Sequence, residues 1–123
     1  MKRDWDIIRA ILLELETSTT ARTSLSMDAI EGLDAQEVAY NMQLLHEAGY
    51  IEASILNSHS GDGKINAALA KRLTNKGHDL LDSIRSETIW RKVKETFISK
   101  GVDMTFDLVI SVGKKISENL LLL

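Results

Sequence analysis

No proline occurs anywhere in the 123 residues, so no helix is forced to stop at a ring that lacks an N–H. Helix boundaries must then be set by caps, glycines and the spacing of apolar side chains. Those signals are plentiful. Trp5, Ile8, Ile11, Leu12 and Leu15 recur at helical spacing, and Asp4 stands where a carboxylate caps the first turn, which predicts a helix over residues 4–16. Ser18, Thr19, Thr20, Arg22 and Thr23 follow as a polar break, after which Leu25, Met27 and Ala29 alternate with Ser24, Ser26 and Asp28 as a short half-buried strand would.

Asp34-Ala35-Gln36-Glu37 reads as a capping box, and Val38, Met42, Leu45 and Ala48 continue on one helical face until Gly49 closes it. Residues 50–56 then suit a strand, residues 57–63 crowd turn formers, and residues 65–73 return as the second arm of a hairpin. That arm carries Ala67, Ala68 and Ala70, so tertiary context has to override helix propensity there. Thr74 and Ser86 are placed to cap two further helices, one lined by Gly77, Leu80, Leu81 and Ile84, the other by Trp90, Val93 and Phe97 and ending at Gly101. A last helix from about Asp103 directs Phe106, Val109, Ile110, Gly113, Ile116 and Leu120 inward, with Leu108 and Val112 adding a second apolar flank. The expected class is mainly α with a small β-hairpin, an α+β chain of one domain, with a core over residues 4–86 and a helical extension over 87–123.

Composition narrows the chemistry. With no cysteine there are no disulfides, thiolate metal sites or thiol nucleophiles, and a cytoplasmic location is expected. Asp6, Arg9 and Glu14 interrupt the apolar stretch that a signal peptide needs, and the leucine run at 120–123 is only four residues long, so neither export nor membrane insertion is expected. His46, His59 and His78 are 13 and 19 residues apart and lack metal-ligand spacing. The turn Ser58-x-x-Gly61-Asp62-Gly63-Lys64 lacks the spacing of a phosphate loop, and His59 and Asp62 sit on a tip too loose for catalysis. No cofactor, metal or enzymatic activity is expected.

Two segments carry a resemblance. Leu44-Leu45-His46-Glu47-Ala48-Gly49-Tyr50-Ile51 resembles the end of the recognition helix and the entry to the wing in multiple-antibiotic-resistance-type regulators, and Leu73-Thr74-Asn75-Lys76-Gly77-His78-Asp79-Leu80-Leu81 resembles their wing exit. Lys2-Arg3-Asp4-Trp5-Asp6, residues 73–84 and Ile89-Trp90-Arg91-Lys92-Val93-Lys94 together resemble the phage and prophage family of domain of unknown function 2513. Asn41 stands where that family often has His, and Tyr50 where Leu is common. The resemblance implies a winged helix-turn-helix-like fold with additional C-terminal helices, and no established activity. The helix that usually supports the recognition helix is reduced, since residues 18–33 offer only a weak strand and a short segment at 28–32.

A winged helix implies DNA binding, but the charges oppose it. Residues 34–63 hold five acids and no Lys or Arg, while residues 64–100 hold nine bases against four acids. The recognition helix expected at 34–48 therefore brings no cation to a phosphate backbone that binds chiefly through cations. Its base readers would be Gln36, Asn41 and Gln43, with Lys64 at the wing tip and Lys71, Arg72 and Lys76 at the hairpin exit as phosphate contacts. Arg91, Lys92, Lys94 and Lys100 suit a solvated helix face. The broad apolar face of the last helix, with Leu108, Val112, Ile116 and Leu120, is the expected association surface. The leading expectation is a non-enzymatic protein acting by protein contact, as a homodimer or on a host factor; the alternative is a DNA-binding transcription regulator.

Overall fold

The structure, a computed structural model, describes residues 1–18, 20 and 24–122. Thr19, Arg22 and Thr23 of the expected polar break, and Leu123, lie outside the described residues. The chain is mainly helical α+β: α1 (Trp5–Glu16), β1 (Leu25–Ser26), α2 (Ala35–Glu47), β2 (Ile51–Asn57), β3 (Ile65–Leu73), α3 (Asn75–Ile84), α4 (Glu87–Lys100) and α5 (Phe106–Leu121). These fall into two compact units, Met1–His78 and Asp79–Leu123.

In the first unit α1 and α2 pack together and both meet β3, the central strand of an antiparallel sheet of order β1-β3-β2. Ile8, Ile11 and Leu12 of α1, Val38, Met42 and Leu45 of α2 and Ile51 of β2 are fully buried. The central place of β3 explains why its alanines are strand. Ala70 faces Leu25 on one side and Ala53 on the other, so the backbone is paired along both edges, and Ala68 and Ala70 are buried. The expected strand around Met27 and Ala29 is shorter than its alternation suggests. Ser26 Oγ donates to Asp28 Oδ1 at 2.8 Å and Ala29 N donates to Ser26 O at 3.1 Å, so local bonds turn the chain away from the sheet. From Met27 to Asp34 the chain runs through turns and bends without a helix.

The caps fall where the sequence places them. Asp4 Oδ1 accepts from Asp6 N and Ile7 N, Asp34 Oδ2 from Glu37 N, and Ser86 Oγ from Ile89 N. Gly49 ends α2 with φ +84°, which lets the chain turn directly into β2. The two segments that carried the regulator resemblance clasp each other at this corner. Thr74 donates its hydroxyl to Gly49 O at 2.6 Å and its N–H to Tyr50 O at 3.1 Å, while Gly77 N donates to Thr74 Oγ1. Lys76 Nζ donates to Ala48 O at 3.2 Å and lies 4.7 Å from the centroid of the Tyr50 ring. Gly77 itself rests on the Tyr50 carbonyl, with no room for a Cβ.

Within the second unit α4 packs on α5. Val93 and Val109 are fully buried, Trp90 and Phe97 nearly so. The last helix begins at Phe106 rather than near Asp103, because Thr105 supplies the cap: its Oγ1 accepts from Leu108 N at 3.2 Å. Gly113 lies against the Ser83 carbonyl of α3. Val109 and Gly113 are buried, and Phe106, Ile110 and Ile116 are half-buried as part of the same face. Leu120, expected inward, is instead 42% exposed, since the buried face of α5 ends a turn earlier.

Candidate functional site

Of the three expected base readers on α2, two are structural. Asn41 is wholly buried: its Oδ1 accepts Asp4 N at 2.9 Å and its Nδ2 donates to Glu37 O at 2.8 Å. It ties the start of α1 to α2 and cannot present itself to a base edge, which corrects the sequence-based expectation. Asn41→Ala should leave the Asp4 N–H without its partner and cost about 2 kcal/mol in urea unfolding. Gln36 brackets the start of β3 with both ends of its amide, donating to Ile65 O at 2.8 Å and accepting Ile65 N at 3.0 Å, so its polar atoms are committed as well. Gln43 is half-buried and donates to Glu47 Oε1 at 3.2 Å, an ordinary contact along a helix face. His46 is exposed, with Nδ1 accepting from Ala53 N at 3.3 Å.

The expected phosphate contacts fall into three places. Lys64 is exposed at the hairpin tip, where its N–H donates to Asp62 Oδ1 at 2.9 Å. That bond, aided by the hydroxyls of Ser60 and Ser58, holds the Asp62 carboxyl below its ordinary range. Lys76 is engaged at the α2–β2 corner. Lys71 and Arg72 lie near the opposite end of β3 from Lys64, about 20 Å along the strand, so tip and exit cannot serve one small anion. Glu52 pairs with Arg72 and Ala53 with Ala70, which leaves Lys71 unopposed in a β-bulge. Arg72 Nη2 donates to Glu52 Oε1 at 2.7 Å and its Nη1 to Leu73 O at 3.2 Å. The bond from Arg72 lowers the Glu52 pKa, and the same pairing raises that of Arg72. The pair is therefore complete at neutral pH and is lost only as acid protonates Glu52.

Beside this bulge lies a surface hollow of about 350 Å³ lined by Leu15, Glu16, Ser18, Thr20, Lys71, Arg72, Leu73 and His78. Sequence reading noted Lys71 and Arg72 but not their grouping with Ser18, Thr20 and His78. The bulge that aims Lys71 is a pairing irregularity with no local sequence mark. On α4, Arg91, Lys92 and Lys100 are exposed and Lys94 Nζ sits 5.3 Å from the Trp90 ring centroid, the arrangement of a solvated face with its stems laid on apolar surface.

The association residues of α5 separate into two groups. Val112 and Ile116 are half-buried at the edges of the inner face, whereas Leu108 is 41% and Leu120 42% exposed; Leu122, just past the end of the helix and not among the expected residues, is 85% exposed. Among the described residues no group of His, Asp or Glu side chains is arranged to hold a metal ion, and no helix is long and apolar enough to cross a membrane.

A protein of Haemophilus influenzae described as an uncharacterized protein is 43% identical over 124 residues, spanning 98% of this chain and 99% of its own length. No solved structure is a significant match. The family profile described as Hypothetical protein (DUF2513) matches residues 2–103, which take in all of the first unit but Met1, together with α3 and α4. With a match over that much of its length, the chain belongs to the family described as Hypothetical protein (DUF2513).

Proposed function

We propose that this protein is a non-enzymatic contact module of winged-helix type that works as a homodimer, paired through the outer face of α5. The observation that carries the reading is the exposure of leucines at both ends of that helix, Leu108 at its start and Leu122 at its end. Leu108, Val112, Lys115, Asn119 and Leu122 recur at the alternating four- and three-residue steps of a two-helix seam. A second copy laid antiparallel puts Leu108 against Leu122 twice, so the hydrophobic ends are self-complementary, while Lys115 meets its own copy at the midpoint. Lys115 and Asn119 in the middle fix the register at some expense of strength. The rival reading, a DNA-binding regulator, is weakened because Asn41 and Gln36 are occupied within the fold.

Sedimentation equilibrium of the full chain tests the proposal. A dimer is expected, with Leu108→Glu and Leu122→Glu each weakening it about 100-fold, equivalent to about 2.7 kcal/mol. A monomeric wild type, or a dimer indifferent to both substitutions, overturns it. Because both residues are exposed, circular dichroism should show the variants folded.

A further inference from the structure

We propose that the hollow beside the β3 bulge is a binding site for a phosphate group, separate from the α5 seam and independent of it. Ser18 and Thr20 bring hydroxyls, Lys71 and Arg72 bring charge, and His78 brings a ring nitrogen to one surface depression of about 350 Å³, near the lower limit for small-ligand sites of roughly 300–1,000 Å³. The grouping depends on the bulge. In a regular ladder, neighbours on a strand point to opposite faces, but the unopposed Lys71 breaks that alternation, and Lys71 and Arg72 line the same depression.

Arg72 arrives already oriented. Glu52 takes one bond from its Nη2, and Leu73 O takes one from Nη1. A guanidinium has five N–H donors in a planar fork, so this leaves donors for an anion while removing much of the side chain's freedom. Hydroxyl and cationic donors converging on one depression suit a tetrahedral oxyanion better than a flat carboxylate, since bonds can reach several oxygens from different sides. Glu16 is the carboxylate within the lining; it opposes an anion and sets the affinity low. A monoester on a nucleotide and a diester in a nucleic-acid backbone present the same phosphate oxygens to these donors.

Isotope-labelled full-length protein titrated with inorganic phosphate, adenosine 5′-monophosphate and a short DNA duplex separates these sources. Saturable amide shifts at Lys71, Arg72 and His78 are expected. Lys71→Gln should weaken binding about tenfold through loss of a charge-assisted bond. Glu16→Gln should tighten it about threefold by removing an exposed like charge. Both positions are exposed, so neither change should disturb the fold. Tighter binding of the duplex than of the nucleotide through these same amides, falling steeply with salt, assigns the diester; binding of the nucleotide without the duplex assigns the monoester. The proposal fails if no probe moves these amides, or if both variants bind as the wild type does.

Discussion

Gly77→Ala is expected to destabilise the first unit by about 3 kcal/mol or more, because the new methyl would have to occupy the place of a backbone atom. A Cβ built on Gly77 falls within contact distance of the Tyr50 carbonyl oxygen and 3.1 Å from its carbon. Neither partner can rotate away. Tyr50 O is held by Thr74 N, and Gly77 N by Thr74 Oγ1, so relief requires opening the clasp between the α2–β2 corner and the start of α3. Urea unfolding measures the loss. A control isolates its cause: Gly61 also favours glycine, with φ +74°, but has open space around it. Gly61→Ala should therefore cost only the left-handed backbone penalty, about 1 kcal/mol. Gly77 lies in α3 without a positive φ, so an effect there no larger than at Gly61 would contradict the close approach to Tyr50.

The second large effect is expected at Gly113→Ala, which should destabilise the second unit by about 2–3 kcal/mol. A Cβ there meets the Ser83 carbonyl oxygen and lies 3.1 Å from Ser83 Cβ. Ser83 cannot yield easily, since its hydroxyl is bound to Leu80 O at 2.6 Å and the residue is buried. Ser117 Oγ donates to Gly113 O at 2.8 Å, so a shift of α5 would disturb its own next turn as well. Amide exchange should report faster opening across α5, with Val109 the most affected. Unchanged exchange there would contradict the close packing of α5 on α3.

How far the fold could be read from sequence depended on whether the deciding interaction was local. Asp4, Asp34 and Ser86 cap their helices through side-chain bonds to N–H groups two or three residues on, and each was legible. The hairpin was legible despite the alanines of its second arm, because strong turn residues separate two apolar segments. The end of β1 was not, since Asp28 and Ser26 form a local bond that alternation ignores. The start of α5 slipped by three residues because both Asp103 and Thr105 can cap a helix and only the second does.

The candidate site was less legible. Asn41 has the chemistry of a base reader and stands on the expected helix, yet its role is set by the approach of residue 4 from far along the chain. Gln36 is decided in the same way by β3. Lys71 and Arg72 were visible as cations, but the irregular strand pairing that groups them with Ser18, Thr20 and His78 leaves no pattern in a linear reading. The outer leucines of α5 were visible as a surplus of apolar residues, while the exact division between inner and outer faces needed the seating of Gly113.

The bonds from Thr74 to Gly49 and Tyr50 draw together two points 25 and 24 residues apart, so the β2–β3 hairpin is cinched at its root while β3 stays packed on α1 and α2 and the tip around Gly61 is exposed. Chain added at that tip bears only the slowly growing entropy of a longer loop. Residues around Gly61 are therefore where lineages can lengthen, shorten or recolour this arm while the root stays fixed.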